Sequence, residues 1–189
     1  AYAVCGELSD LDSVTKMMEE IDNLGVRVDI VLNNAGLQIA YRDNYVETPV
    51  SDFVESYKIN TIAPILICYH FLPKMMEYGF GRIVNTTSGI ALDPQQAGYS
   101  ASKAALDKLS IDLGSKVEGS DVMINLGWCR TDLGGQHAPN SPESAMPGII
   151  VGAFLDDKKS GRIIRAQEFS DMSIEAAVKL AESQDNSPY

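Results

Sequence analysis

Short β-branched runs alternate with helix-length amphipathic segments along this chain, and that alternation leaves few folds open. Residues 1–5, 28–32, Arg82–Thr87, 122–126 and Arg162–Arg165 read as buried strands. Between them lie helical patterns. Ser9 with Asp12 opens one whose Leu11, Val14, Met18 and Ile21 share a face, and Gly25 closes it. Thr48-Pro49 reads as an N-cap and first helical position of a second, running toward residue 77. Others cover residues 99–117, open at Ser141-Pro142-Glu143, and span 173–182. Strands separated by helices of this length predict an α/β protein with a parallel sheet covered on both faces. Such sheets bind ligands beyond the C-terminal ends of their strands. Here those ends fall at residues 33–36, 88–91 and 127–131, so three polar clusters are expected at one edge.

Composition narrows the function classes. The 189 residues fit one domain, and 26 acidic against 15 basic residues give a net charge of −11. That surface repels phosphate backbones and anionic lipid, which weighs against nucleic-acid or membrane partners. No apolar run is long enough to span a bilayer. Cys5, Cys68 and Cys129 are far apart and read as free thiols of a reducing compartment, with a cytoplasmic location expected. His70 and His137, without paired Cys/His spacing, predict no metal site.

Three features carry chemistry. Tyr99 and Lys103 stand four apart on a helical pattern, hence on one face. Bringing a phenol from pKa 10 to about 7 takes roughly 4 kcal/mol of phenolate stabilisation, which a neighbouring ammonium can supply. Ser88 sits where a buried strand gives way to a loop, with its hydroxyl available to a substrate oxygen; it lacks the Gly-x-Ser-x-Gly elbow of a serine hydrolase. Pro64 has no N–H for the carbonyl of Asn60, so the helix is expected to kink there and free that carbonyl to hold a water. Each feature alone has an ordinary structural explanation: a solvated lysine, a turn serine, a packing kink.

Together they resemble the short-chain dehydrogenases/reductases. Asn33-Asn34-Ala35-Gly36 is similar to that family's NNAG motif, Asn60 to its helix-kink asparagine, Ser88 to its catalytic serine and Tyr99-x-x-x-Lys103 to its YxxxK pair. Leu126-Gly127-Trp128-Cys129-Arg130-Thr131 resembles the segment lining the nicotinamide, and Glu7-Leu8 the acidic-aliphatic pair contacting adenine. The resemblance implies a Rossmann-like doubly wound sheet in one domain over residues 1–189, and an NAD- or NADP-dependent oxidoreductase interconverting a carbonyl and a secondary alcohol. By the same resemblance Tyr99 is the acid/base, Lys103 lowers its pKa and holds the ribose, Ser88 orients the carbonyl, and Asn60 holds a water. Asn33, Ala35, Gly36, Gly127 and Thr131 line the cofactor cleft. A homodimer or homotetramer is expected through the helices bearing Asn60 and Lys103.

The chain departs from the family pattern in three places. Leu126 replaces a proline, and Ser88 to Tyr99 spans a short 11 positions (99 − 88). No Gly-x-x-x-Gly-x-Gly occurs, so two upstream strand–helix units, on the order of 55 residues, are expected to be missing. That leaves a competing reading: a non-catalytic fragment or remnant that binds no dinucleotide. Leu37, Ile39, Leu92, Trp128 and Met146 are candidate pocket residues for an apolar carbonyl compound, and residues 132–148 a lid.

Overall fold

The computed structural model describes residues 1–39, 48–89, 97–117, 121–125 and 141–185, the strand at 121–125 by its backbone. Four parallel strands pair in chain order: β1 (Ile30–Asn33), β2 (Arg82–Thr87), β3 (Asp121–Asn125) and β4 (Arg162–Arg165). Asn33 pairs with Asn85 and Thr87 with Asn125, which sets the C-terminal strand ends along one edge. The expected parallel α/β sheet is present, and β2 and β4 have the bounds read from their β-branched runs.

Every residue of β2 is buried, because both faces of the sheet are covered there. Ile83 joins a core with Val14 and Met18 of α1 (Leu11–Asn23) and Cys68, Phe71 and Met75 of α3 (Ala63–Tyr78). Its neighbour Val84 points the other way, into Val151, Ile164, Phe169, Ala177 and Ala181. These come from α5 (Gly148–Val151), β4, a 3-10 turn (Ala166–Phe169) and α6 (Ile174–Ser183). Adjacent strand residues on opposite cores are what a two-sided sheet requires. α4 (Ala97–Gly114) carries Tyr99 and Lys103. Its last residue abuts the entry to β4: a Cβ on Gly114 would fall 2.1 Å from the Gly161 nitrogen, so no side chain fits.

Local chemistry shifts several boundaries. α1 is capped by Asp10, whose carboxylate accepts the Asp12 N–H at 3.0 Å, in place of the expected Ser9. Ser9 instead donates to the Glu7 carboxylate at 2.8 Å. Gly25 does end that helix region, at φ +65. Pro49 takes the cap position of α2 (Val50–Tyr57) rather than the first turn. Ser141 caps only a 3-10 turn (Pro142–Ala145), cut short by Pro147. Ser173 caps α6, accepting from Ala176 at 3.2 Å.

The expected strand over residues 1–5 is not formed; no regular element precedes α1. An apolar run becomes a parallel strand only where a neighbour takes its N–H and C=O groups. Among the described residues β1 pairs with β2 alone and borders no other strand.

Candidate active site

The helix expected to kink at Pro64 is wound in three pieces: α2, a π turn over Lys58–Ile62, and α3. In the π turn the N–H of Ala63 reaches back five residues to the Lys58 carbonyl. The disruption expected from a proline without an N–H thus takes the form of one extra residue per turn, a device common at functional sites. Asn60, at the centre of that turn, is fully buried.

Its side chain does specific work. The Asn60 Oδ1 accepts the Leu37 N–H at 2.7 Å, and its Nδ2 donates to the Leu37 carbonyl at 2.8 Å. The same Nδ2 lies 3.0 Å from the Ser102 Oγ. Thr61 donates to the Ser102 carbonyl at 2.7 Å, and the Ser102 hydroxyl to the Tyr99 carbonyl at 2.8 Å. One amide therefore ties together the π turn, the loop after β1 and α4.

Lys103 is 3% exposed, and its Nζ donates to the Thr86 carbonyl at 2.7 Å. Burial lowers its pKa to about 8, with Asp107 opposing that fall. A Cβ on Gly36 would stand 3.5 Å from the Lys103 Nζ and from the Asn60 Oδ1, so the NNAG loop passes directly over both. Tyr99 shares a hydrogen bond with Ser88; burial raises its phenol above the ordinary value, and the Ser88 bond partly offsets this. The sense is opposite to the lowering expected from Lys103, whose amine is engaged with Thr86.

The structure thus gathers Asn60, Ser88, Tyr99, Lys103 and Gly36 at the expected sheet edge, with Ala35 exposed beside them. Asn33 turns inward instead: its Nδ2 donates to the Asn85 Oδ1 at 2.8 Å, and the Asn85 Nδ2 to the Ser110 Oγ at 2.8 Å. This buried chain stitches β1, β2 and α4 beneath the cleft. Glu7 is bound up locally, its N–H on the Ser13 Oγ at 2.9 Å, while Leu8 packs on the α1–α3 core. Its exposed carboxylate has a lowered pKa, held down by the Ser9 N–H and hydroxyl. Gly127, Thr131, Leu92 and Trp128 lie outside the described residues, as does 132–140 of the expected lid. Leu37 and Ile39 are partly buried, and Met146 is exposed.

Sequence reasoning missed Thr86, Ser102, the backbone of Leu37 and Asp107. Asp107 had a signal: it continues the four-residue spacing of Tyr99 and Lys103. Its carboxyl is raised to about 6, by burial first, against a hydrogen bond from Thr87 and the charge of Lys103.

Comparison with known proteins bears directly on this arrangement. The family model described as short chain dehydrogenase matches residues 1–140. A 3-oxoacyl-[acyl-carrier-protein] reductase, FabG, of Aquifex aeolicus is 32% identical over 170 residues, covering 87% of this chain and 67% of that protein. The chain belongs to the short-chain dehydrogenase family, a family of oxidoreductases. Two further curated relatives are matched over 47% and 42% of their own length, so the chain spans about half of each. Among solved structures, an NADPH-bound carbonyl reductase from chicken fatty liver superimposes with a TM-score of 0.73 at 25% identity. That match covers 90% of this chain and 76% of the other. A Brucella ovis oxidoreductase of the same family, in complex with a partially ordered NAD, gives 0.56 at 25% identity over 64% of this chain and 60% of its own. These likenesses support the Rossmann-type reading of the sheet. No helix among the described residues is long and apolar enough to cross a membrane.

Proposed function

We propose that this chain carries the chemical centre of an NAD- or NADP-dependent reductase that interconverts a small carbonyl compound and its secondary alcohol. The observation that carries the reading is the convergence of Ser88, Tyr99 and Lys103 on one strand edge, beneath Gly36 and braced by Asn60. Ser88 and Tyr99 are already hydrogen-bonded, so one carbonyl oxygen can be received by both hydroxyls. Tyr99 then gives its proton to that oxygen during reduction and recovers it during oxidation. Ser88 orients the oxygen, and Lys103 steadies the phenolate left behind. A bound nicotinamide would supply or accept the hydride at the carbon.

The residues present fit one end of such a cofactor. Lys103 gives one hydrogen to Thr86, which leaves two for a vicinal diol such as a ribose. Gly36 keeps the backbone low enough over the amine for that approach. The first turn of α1 is capped by its own Asp10, so these residues account for the nicotinamide and ribose end alone. The competing reading is a remnant that keeps Asn60, Ser88, Tyr99 and Lys103 but binds no dinucleotide. The rest of the proposal, a cytoplasmic homo-oligomer formed through the α2–α3 and α4 helices from a single domain, rests on the family likeness.

Tyr99→Phe in the full chain is the deciding variant, because it keeps the ring and deletes only the titrating proton. Turnover of a panel of ketones with NADH and NADPH should fall at least about 100-fold. Retention of a tenth of the rate sinks the Tyr99 assignment. Tight binding of NADH or NADPH by the unaltered chain sinks the remnant reading.

A further inference from the structure

Lys103 presents a physical problem that Asn60, Ser88 and Tyr99 do not answer. Its ammonium is almost wholly buried, and the hydrogen bond described for it goes to a neutral carbonyl, that of Thr86. Burial in such surroundings favours the uncharged amine, yet binding a diol and steadying a phenolate both require the cation.

The next turn of α4 carries an acid. Asp107 follows Lys103 by four residues, as Lys103 follows Tyr99, so phenol, ammonium and carboxyl share one helix face. Thr87, next to the Thr86 that receives the amine, hydrogen-bonds the Asp107 carboxyl. The Asp107 Oδ1 is buried and has no hydrogen-bond partner among the described residues. A buried carboxylate with an unsatisfied oxygen costs stability and is retained where its charge has a use.

We infer that Asp107 is a positioning residue for Lys103, a counter-charge one helical turn away, anchored by Thr87, that keeps the buried ammonium protonated. It touches neither substrate nor cofactor; it acts through Lys103. Among the described residues the other groups facing the pair are neutral: Thr86 and Thr87 from β2, Asn60 from the π turn, Gly36 from the loop after β1. Asp121, the acid of β3, pairs with Ile83, four residues down β2 from Thr87. Among the described residues Tyr99 is the remaining titratable neighbour, on α4 itself. The depressed Lys103 pKa with Asp107 acting against the fall agrees with this geometry. Below about pH 6 the carboxyl takes up a proton and the counter-charge is withdrawn.

The purpose assigned to Asp107 rests on the reductase reading, but the test does not. In full-length protein carrying 13Cε-lysine, the Lys103 resonance, identified by its loss in Lys103→Arg, is followed by NMR against pH. Asp107→Asn should lower the Lys103 midpoint by about one pH unit, a tenfold loss of proton affinity. Thr87→Val, which leaves the acid but loosens its hold on charge, should lower it less, and stands in if the asparagine variant does not fold. Where the unaltered chain turns over, Asp107→Asn should also displace the pH–rate profile, whereas a packing role would lower the rate equally at every pH. A midpoint unmoved in both variants overturns the inference. A moved midpoint in a chain without turnover upholds it and removes the reductase reading instead.

Discussion

The two ends of the proposed cofactor cleft are built by different means. At the chemical end, Asn60, Lys103 and Ser102 are buried and tied by hydrogen bonds spanning 17 to 42 residues of sequence. At the end where the family resemblance places adenine, Glu7 is exposed and its side-chain bonds reach no farther than Ser9. The first end is defined only by the completed fold; the second is defined by a helix start and would survive in a peptide. A long-range site should fail cooperatively when one bond is cut, and a local one should fail alone.

Cutting Asn60 gives the largest expected effect. Asn60→Ala leaves the Leu37 N–H and C=O without their partners, at about 1–3 kcal/mol for each group left unsatisfied in a buried setting. We expect a loss of about 3 kcal/mol in urea unfolding, together with loss of any turnover. A loss under 1 kcal/mol would mean that the loop after β1 is held by other contacts.

Lys103→Met sharpens the contrast, because the sign depends on pH. Folding lowers the Lys103 pKa from 10.5 to about 8. The native state therefore disfavours the charged form, and stability falls as pH drops from 10.5 and levels off below about 8. Below that pH, methionine removes the cost and forfeits one hydrogen bond, a net gain of about 1–2 kcal/mol at pH 7. Above pH 10.5 the gain should vanish or reverse. Melting curves from pH 7 to 11 test this, and a variant less stable at pH 7 contradicts it.

Pro64→Ala should have a smaller effect, within about 1 kcal/mol. It restores an N–H next to the π turn and lets that turn relax toward α geometry, which re-aims Asn60. We expect a modest gain in melting temperature and a slower rate; unchanged kinetics would make the π turn a packing feature alone. Glu7→Ala should do least, shifting the melting temperature slightly and leaving the Tyr99 region unaltered by NMR. A change at Tyr99 would break the distinction between the two ends.

The sequence was legible where one residue's chemistry decides the outcome. The β-branched runs at Arg82–Thr87 and Arg162–Arg165 located two strands, Gly25 ended a helix, and Pro64 announced a break in another. It was less legible where partners decide. Residues 1–5 have the composition of a strand, but composition does not supply the neighbour that completes one. Asn60 was read for its backbone carbonyl; that its side chain clasps a loop 23 residues away was not read. The Tyr99–Lys103 spacing placed both groups on one face and still did not reveal that the amine turns to Thr86. Asp107 went unread because a carboxylate on a helix is usually solvated, and its burial follows from how α4 packs in the completed fold.

The clasp of Asn60 on Leu37 also makes a clock. A loop amide of ordinary exposure trades its hydrogen with water in seconds or less, but the Leu37 N–H is bonded to a buried side chain and should exchange on the timescale of strand amides. Deuterium uptake at that one position therefore times how often the floor of the cleft comes apart, whether or not the protein is turning over.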